Sequence, residues 1–135
     1  MDREQLRLGE GRRLSAAEVL KRYKDDDLRA FCGIDLTDVN QVGLLGERPL
    51  DVAATRADIE EIYTLLKGGA DVNAAGELGS TALHEAVSQG HVSAVTILLE
   101  FGARIDLRND FGDTALDVAR SRNREELVAL LQGRE

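Results

Sequence analysis

Residues 81–113 read TALHEAVSQGHVSAVTILLEFGARIDLRNDFGD, and this stretch decides the fold because the sequence around it repeats it. A shift of 33 residues towards the C-terminus places the TAL at 81–83 on the TAL at 114–116. The same shift towards the N-terminus places the Leu pair at 98–99 on the Leu pair at 65–66. Self-similarity at a fixed period of this length is typical of a solenoid of stacked repeats.

The motif TALHEA at 81–86 resembles the T-P-L-H-x-A signature of the ankyrin repeat, with Ala82 in place of Pro. The sequence GADVN at 69–73 and the Gly90-His91 pair agree with the same family. The resemblance implies an all-α fold, an ankyrin-repeat solenoid of stacked helix-turn-helix repeats with projecting loops. It also implies a small stand-alone protein of bacterial origin that binds other proteins.

The register predicts a flexible tail, two full repeats and degenerate capping repeats at both ends. The predicted units are a tail at 1–14, an N-terminal capping repeat at 15–47, ankyrin repeats at 48–80 and 81–113, and a C-terminal capping repeat at 114–135. Helices are expected near 15–23, 26–32, 49–55, 59–67, 82–89 and 92–100.

The two capping segments carry their own local signals. Ser15 followed by Glu18 is a capping box, which predicts where the first helix begins. Its segment is expected to bury the side chains Leu20, Tyr23, Leu28, Phe31 and Ile34. At the other end, polar residues replace three residues of the previous repeat, so the final helix is polar on the side without a neighbour. These polar residues are Glu125, Glu126 and Gln132.

The formal charge of −8 is unevenly distributed. Residues 1–24 hold 7 Lys and Arg against 4 Asp and Glu, whereas the rest of the chain holds 10 against 21. This balance argues against nucleic acid as the direct ligand, because phosphate binding requires a basic face. An acidic surface favours a basic partner through electrostatic steering, although it also serves solubility alone.

Targeting and redox signals point to a cytoplasmic protein. Cys32 is the single cysteine, so no internal disulfide can form and a reduced setting is expected. No apolar run approaches the roughly 20 residues of a membrane-spanning helix, so no membrane contact is expected. The N-terminal residues have no apolar core of a secretory signal.

The sequence predicts no catalytic site, no cofactor and no metal. The resemblance implies that His84 forms a hydrogen bond between neighbouring repeats and that His91 starts a second helix. A base, a nucleophile and an orienting group do not converge anywhere in the pattern. Phosphate-binding loops, dinucleotide fingerprints, Cys/His metal spacings and nucleophile elbows are absent from the sequence.

A partner-binding surface is expected on the first helices and the loop tips, since the resemblance implies a concave binding face there. The register aligns Leu45, Leu78 and Phe111 before the tip glycines, and an apolar row rimmed by charge suits a protein interface. Packing of each side chain against the next loop is the alternative. Arg56 and Val118 also lie on this expected face. The predicted partner-binding residues are Leu44, Leu45, Glu47, Asp51, Val52, Glu77, Leu78, Glu85, Gln89, Arg108, Asn109, Asp110, Phe111, Asp117 and Arg122.

The most specific functional prediction is an immunity or antitoxin-type inhibitor, monomeric when free, that blocks a basic partner such as a nuclease toxin. It depends on three expectations: a short chain with caps at both ends, no attached effector domain, and a strongly acidic surface. Two alternatives stay open. One is a generic adaptor that tethers two proteins, and the other is a chaperone or regulatory subunit of a secreted protein.

Overall fold

The structure is a computed structural model that describes residues 14–25, Phe31 and 36–134. In these residues the chain forms seven α-helices and no strand. They are α1 (Ala16–Asp25), α2 (Pro49–Arg56), α3 (Ile59–Lys67), α4 (Ala82–Gln89), α5 (Val92–Glu100), α6 (Ala115–Ser121) and α7 (Glu125–Gln132). The predicted all-α solenoid is confirmed. Residues 1–13 of the predicted tail, most of the helix predicted at 26–32, and Leu28, Cys32 and Ile34 lie outside the described residues.

Each of the repeats is a pair of antiparallel helices whose ends follow from local sequence. Thr81 begins α4, since its side chain accepts a hydrogen bond from the amide of His84, and Thr114 does the same for α6. Pro49 occupies the first turn of α2, where no amide partner is lost. Gly90 ends α4 with a φ of 80°, a left-handed conformation that glycine adopts without strain.

The pairs stack side by side, because each one buries its apolar face only against its neighbours. The first helices α2, α4 and α6 pack in one row, and α3 packs against α5 in a second row. Leu83 and Leu98 are almost completely buried between them. Burial of a Leu side chain of this kind contributes roughly 2 kcal/mol.

Asparagine side chains tie consecutive repeats together outside the helices. Asn40 donates from Nδ2 to the carbonyl of Gly69 (3.1 Å) and accepts from the amide of Asp71 (2.7 Å). Asn73 makes the same two contacts one repeat further on. The 33-residue register is therefore fixed by pairs of hydrogen bonds between an Asn side chain and the next repeat's backbone, as well as by the core.

Helix α1 covers the first repeat in an orientation that the register does not predict. Ala16, at its start, lies beside Gly68 at the end of α3, whereas Tyr23, near its end, contacts Glu61 at the start of α3. The helix therefore runs antiparallel to α3 and packs mainly on it. The degenerate N-terminal capping repeat at 15–47 stays a prediction, because most of its expected second helix lies outside the described residues.

A buried carboxylate explains this placement of α1. Glu61 is fully buried, and its carboxylate accepts from the Tyr23 hydroxyl (2.7 Å) and from Arg22 Nη1 (3.1 Å). Arg56 lies 4.0 Å from the same carboxylate and 5.4 Å from the centre of the Tyr23 ring. Burial and the neighbouring carboxylate raise the pKa of Tyr23, so its hydroxyl stays protonated and donates. A buried charge requires such partners, and α1 supplies two of them.

The last helix has the polar outer side that its sequence predicts. Glu125, Glu126 and Gln132 are exposed, whereas Leu127 and Leu131 are buried against α6 and the preceding repeat. The stack thus presents polar side chains at this end of the described residues.

Candidate functional site

Three similar loops precede the first helices and form one continuous row. Each loop is closed by a backbone hydrogen bond between residues four apart. The bonds are Gly43 N to Glu47 O (2.6 Å), Gly76 N to Ser80 O (2.8 Å) and Asn109 N to Asp113 O (2.9 Å). We call residues 43–47, 76–80 and 109–113 the loop row.

Direct contacts fix neighbouring loops relative to each other. The amide of Asp110 donates to the carbonyl of Leu78 (3.0 Å), and a Cβ atom at Gly79 would collide with Asp110. Arg48, which follows the first loop, donates from Nη1 to the carbonyl of Ala75, which precedes the second loop. Leu78 has a φ of 56°, a left-handed conformation that is costly for a residue with a branched side chain. The loop row is therefore held in one shape before any partner arrives.

The tips of the loop row expose apolar side chains. The large apolar residues that are exposed in the described part of the chain all lie in or next to the loop row. They are Val42 (48%), Leu44 (59%), Leu45 (46%), Leu78 (56%) and Phe111 (72%). Each of the three residues before the tip glycines is therefore at least partly open to solvent: Leu45, Leu78 and Phe111. Sequence reasoning missed Val42, whose signal is an apolar residue just before a glycine-containing loop.

The polar residues in and next to the loop row divide into two kinds. Arg108 donates to the carbonyl of Gly112 (2.6 Å), and Glu47 accepts from the amide of Leu45 (3.0 Å), so both shape their own loops. Asn109 likewise accepts from the amides of Phe111 and Asp113. By contrast, Glu77 and Asp110 have exposed side chains that flank the apolar tips.

Asp51 is placed differently from the prediction. It is only 7% exposed, and its Oδ2 accepts from the backbone amide of Arg48 (2.9 Å). A Cβ atom at Gly76 would collide with the same carboxylate, so the second loop covers it. Asp51 therefore caps the first turn of α2 inside the joint between two repeats and is not accessible to a partner.

The other residues of the first helices that are predicted to bind a partner are accessible to different extents. Asp117 caps α6 through the amide of Thr114 and lies 3.7 Å from Arg108, yet its side chain is 41% exposed. The remaining residues of this face are either half-buried or exposed. Val52, Glu85 and Val118 are half-buried, and Gln89 and Arg122 are exposed. Arg56 belongs instead to the Glu61 cluster.

Two carboxyl groups of the first helices next to the loop row have raised pKa values. Burial raises the pKa of Asp51 to about 7, and the charges of Glu85 and Glu47 add to this effect against the opposing hydrogen bond from Arg48. Burial also raises the pKa of Glu85, with a further increase from Glu77, which Thr55 and Arg122 partly offset. Because Glu85 is only half-buried, a cation that approaches it favours its ionised form, whereas Asp51 is covered by the second loop.

His84 is a structural residue that joins α4 to the loop before α6. Its Nδ1 accepts from the amide of Thr81 (3.1 Å), and its Nε2 donates to the carbonyl of Asp113 (2.9 Å), the last residue of that loop. Burial lowers the pKa of His84, which favours this neutral form. With the repeat bounds predicted from the sequence, this bond lies at the end of the repeat 81–113, and a bond into the neighbouring repeat stays a prediction. Within residues 14–25, 31 and 36–134, no three His, Cys, Asp or Glu side chains are arranged to hold a metal ion.

Comparison with known proteins supports the architecture. A family model described as ankyrin repeats matches residues 50–135 in three copies, which is more than half of the chain. No curated protein matches the sequence. Of the helices that the structure describes, none has the length and apolar character needed to cross a membrane. The chain therefore belongs to the ankyrin-repeat family, whose repeats are modules for protein–protein interaction.

Proposed function

We propose that this protein is an acidic inhibitor that binds a basic protein partner over the loop row and blocks its activity, as an immunity protein or antitoxin does. The observation that carries the proposal is the concentration of exposed apolar side chains on the three loop tips. Exposed apolar groups that cluster in one place mark interaction sites more often than they mark accidents of surface composition. The tips would supply the anchors that dominate affinity.

Charge supports the basic character of the partner. The chain carries a formal charge of −8, and exposed Glu77 and Asp110 flank the apolar tips. The half-buried Glu85 lies beyond Glu77 on the neighbouring helix face. Attraction between this side and a basic protein accelerates encounter and is weakened by salt.

The rigidity of the loop row supports inhibition of one partner more than it supports tethering of several proteins. Each loop is closed by a backbone hydrogen bond, and another joins the second loop to the third, so binding costs little ordering of the protein. A pre-formed surface of this kind suits one tight partner. A generic adaptor would bind several unrelated proteins without changing their activity, and a chaperone or regulatory subunit would bind a secreted protein without blocking its chemistry.

Affinity capture followed by an activity assay tests the proposal. The tagged protein is incubated with extract of its host at low and at moderate salt, and retained proteins are identified by mass spectrometry. The Leu78→Ser and Phe111→Ser double variant is the matched bait. We expect one dominant basic protein, released as salt rises and absent from the variant, whose purified activity falls when wild-type protein is added in excess.

Other results of this experiment would support one of the alternative functions. Several partners of neutral charge, with unchanged activities, would support an adaptor and overturn the inhibitor proposal. A single partner that stays fully active in the complex would support a chaperone or regulatory subunit. Equal capture by wild type and the loop variant would show that the loop row is not the binding surface.

A further inference from the structure

We infer that the element of the partner that lies on the loop row is an amphipathic α-helix, oriented along the stacking direction, with apolar residues seven positions apart and basic residues beside them. This inference rests on the proposed function, because it specifies what occupies the same surface. The inference depends on three equivalent loop tips, because each loop has one apolar side chain at the same position. These are Leu45, Leu78 and Phe111.

The distance between neighbouring tips follows from the packing of the first helices, which the loops precede. In addition, the bond from Asp110 to Leu78 holds the second and third loops in direct contact. The first helices behind the loops pack side by side, and packed helices lie about 8–10 Å apart.

A helix matches this spacing and an extended strand does not. Seven residues of an α-helix rise about 10.5 Å and return to the same face, so residues i, i+7 and i+14 can meet three successive tips. In a strand, side chains on one face recur at about 6.6 or 13 Å, which falls on either side of the tip spacing. Helices that lay an apolar face on a surface are an established mode of recognition.

The charges beside the tips fix where the basic residues of that helix lie. The position before each tip residue holds Leu44 in the first loop, Glu77 in the second and Asp110 in the third. Val42 adds a further exposed apolar side chain beside the first loop. The partner helix therefore carries Lys or Arg over the second and third loops, and its most apolar end lies over the first loop.

Two synthetic 18-residue peptides test the inference. Both have the same numbers of Leu, Lys and Ala, but one places Leu at helical spacing and the other alternates Leu with polar residues. Their affinities for the full chain are measured by fluorescence anisotropy at low salt. We expect the helical peptide to bind at least tenfold more tightly, although both peptides carry the same charge.

Two variants test whether peptide binding depends on the loop row or only on the negative charge of the protein. The Leu78→Ser and Phe111→Ser double variant should lower the affinity for the helical peptide at least tenfold, whereas Gln132→Ala, at an exposed position of α7, should leave it unchanged. Equal binding of the two peptides, or full binding to the double variant, would overturn the inference. If a captured partner is inhibited through the loop row but protects an extended segment in hydrogen exchange, the inference fails while the proposed function stands.

Discussion

Two regions of the molecule have side chains whose polarity does not match their burial. One is the set of joints between repeats, and the other is the loop row. The joints are buried, yet they contain ionisable side chains: Glu61, Asp51 and His84. The loop row is exposed, yet its tips are apolar. These three buried side chains have hydrogen-bond partners within the fold, whereas the apolar tips are exposed to solvent. Unusual polarity therefore serves the fold in the joints and is exposed to solvent on the loops.

Asp51 and Asp117 are the same residue type at two positions in the stack, and they differ in burial and in pKa. Both occupy the third residue of a first helix and cap its first turn. Asp51 is covered by the following repeat, and burial raises its pKa to about 7. Asp117 is half-exposed, and hydrogen bonds from Thr114 hold its pKa below the ordinary range. The same cap therefore costs free energy inside the stack and contributes stability at its end.

The largest effect is expected at Glu61. Glu61→Ala removes the acceptor of Tyr23 and Arg22 and should lower the free energy of unfolding by about 3 kcal/mol, the low end for a broken buried ion pair. The low end applies because the Arg22 and Arg56 side chains are 39% and 37% exposed and can reach water. Urea denaturation measures the change. Glu60→Ala in the same helical turn is the control, with a change within about 0.5 kcal/mol.

His84 should give the next largest effect. His84→Ala removes the acceptor of the Thr81 amide and the donor to the Asp113 carbonyl, which costs about 2 kcal/mol of stability. His91 makes no capping hydrogen bond with its side chain, so His91→Ala should change stability by less than about 0.5 kcal/mol. Thermal and urea unfolding of both variants test this difference. Equal losses from the two variants would show that His84 does not join α4 to the loop before α6.

The effect of pH on stability should differ between Asp51 and Asp117. The folded-state pKa of Asp51 is raised from 3.8 to about 7, so its contribution to stability is greatest at low pH and is lost as pH rises through about 7. Asp51→Asn removes this loss, and its stability relative to wild type should grow by about 1 kcal/mol or more from pH 5 to pH 8. Urea denaturation at several pH values measures it.

Asp117→Asn is the matched control at the same helix position. The pKa of Asp117 is lowered, so its contribution is present above the ordinary value of 3.8 and is lost only as pH falls through the lower folded-state pKa. Its stability relative to wild type should therefore stay constant between pH 5 and pH 8. His84 titrates in wild type and in both variants alike, so its effect cancels. A rise for both variants would contradict the difference in burial.

The smallest stability change is expected at Leu78. Because its φ is 56°, Leu78→Gly should relieve backbone strain and raise stability by about 0.5 kcal/mol, after allowance for the greater chain entropy of glycine. The same substitution removes an apolar tip and should weaken partner binding. Leu45→Gly is the control, because Leu45 is not among the residues with positive φ and should be destabilised. A loss of stability at Leu78 would show that the conformation is not strained.

The repeat register predicts most of the fold because period, helix ends and core positions all agree in several copies. The helices α2 to α5 lie within one residue of the predicted bounds. The orientation of α1 could not be predicted in this way, since the capping box at Ser15 shows where the helix begins but not which helix it packs on. The decisive signal was Glu61, which stands in register with the buried residues Ala94 and Leu127. Its partners lie 38 and 39 residues away, so spacing alone does not identify them.

The site is predictable only to the level of individual loops. The alignment places one apolar residue before each tip glycine, and that arrangement follows from the sequence alone. Whether a side chain is open or covered depends on the next repeat, as Asp51 demonstrates: its capping position is visible in the sequence, but its burial under the loop at Gly76 is not. Accessibility is a property of the stack, whereas the register describes one repeat at a time.

The most direct test of the loop row as the binding surface is calorimetric titration of the captured partner with wild type and with the Leu78→Ser, Phe111→Ser double variant, alongside thermal unfolding of both. We predict at least a hundredfold weaker binding by the double variant, with a melting temperature equal to or above that of wild type. An affinity within threefold of wild type in an equally stable variant would contradict the account and place the binding surface elsewhere on the protein.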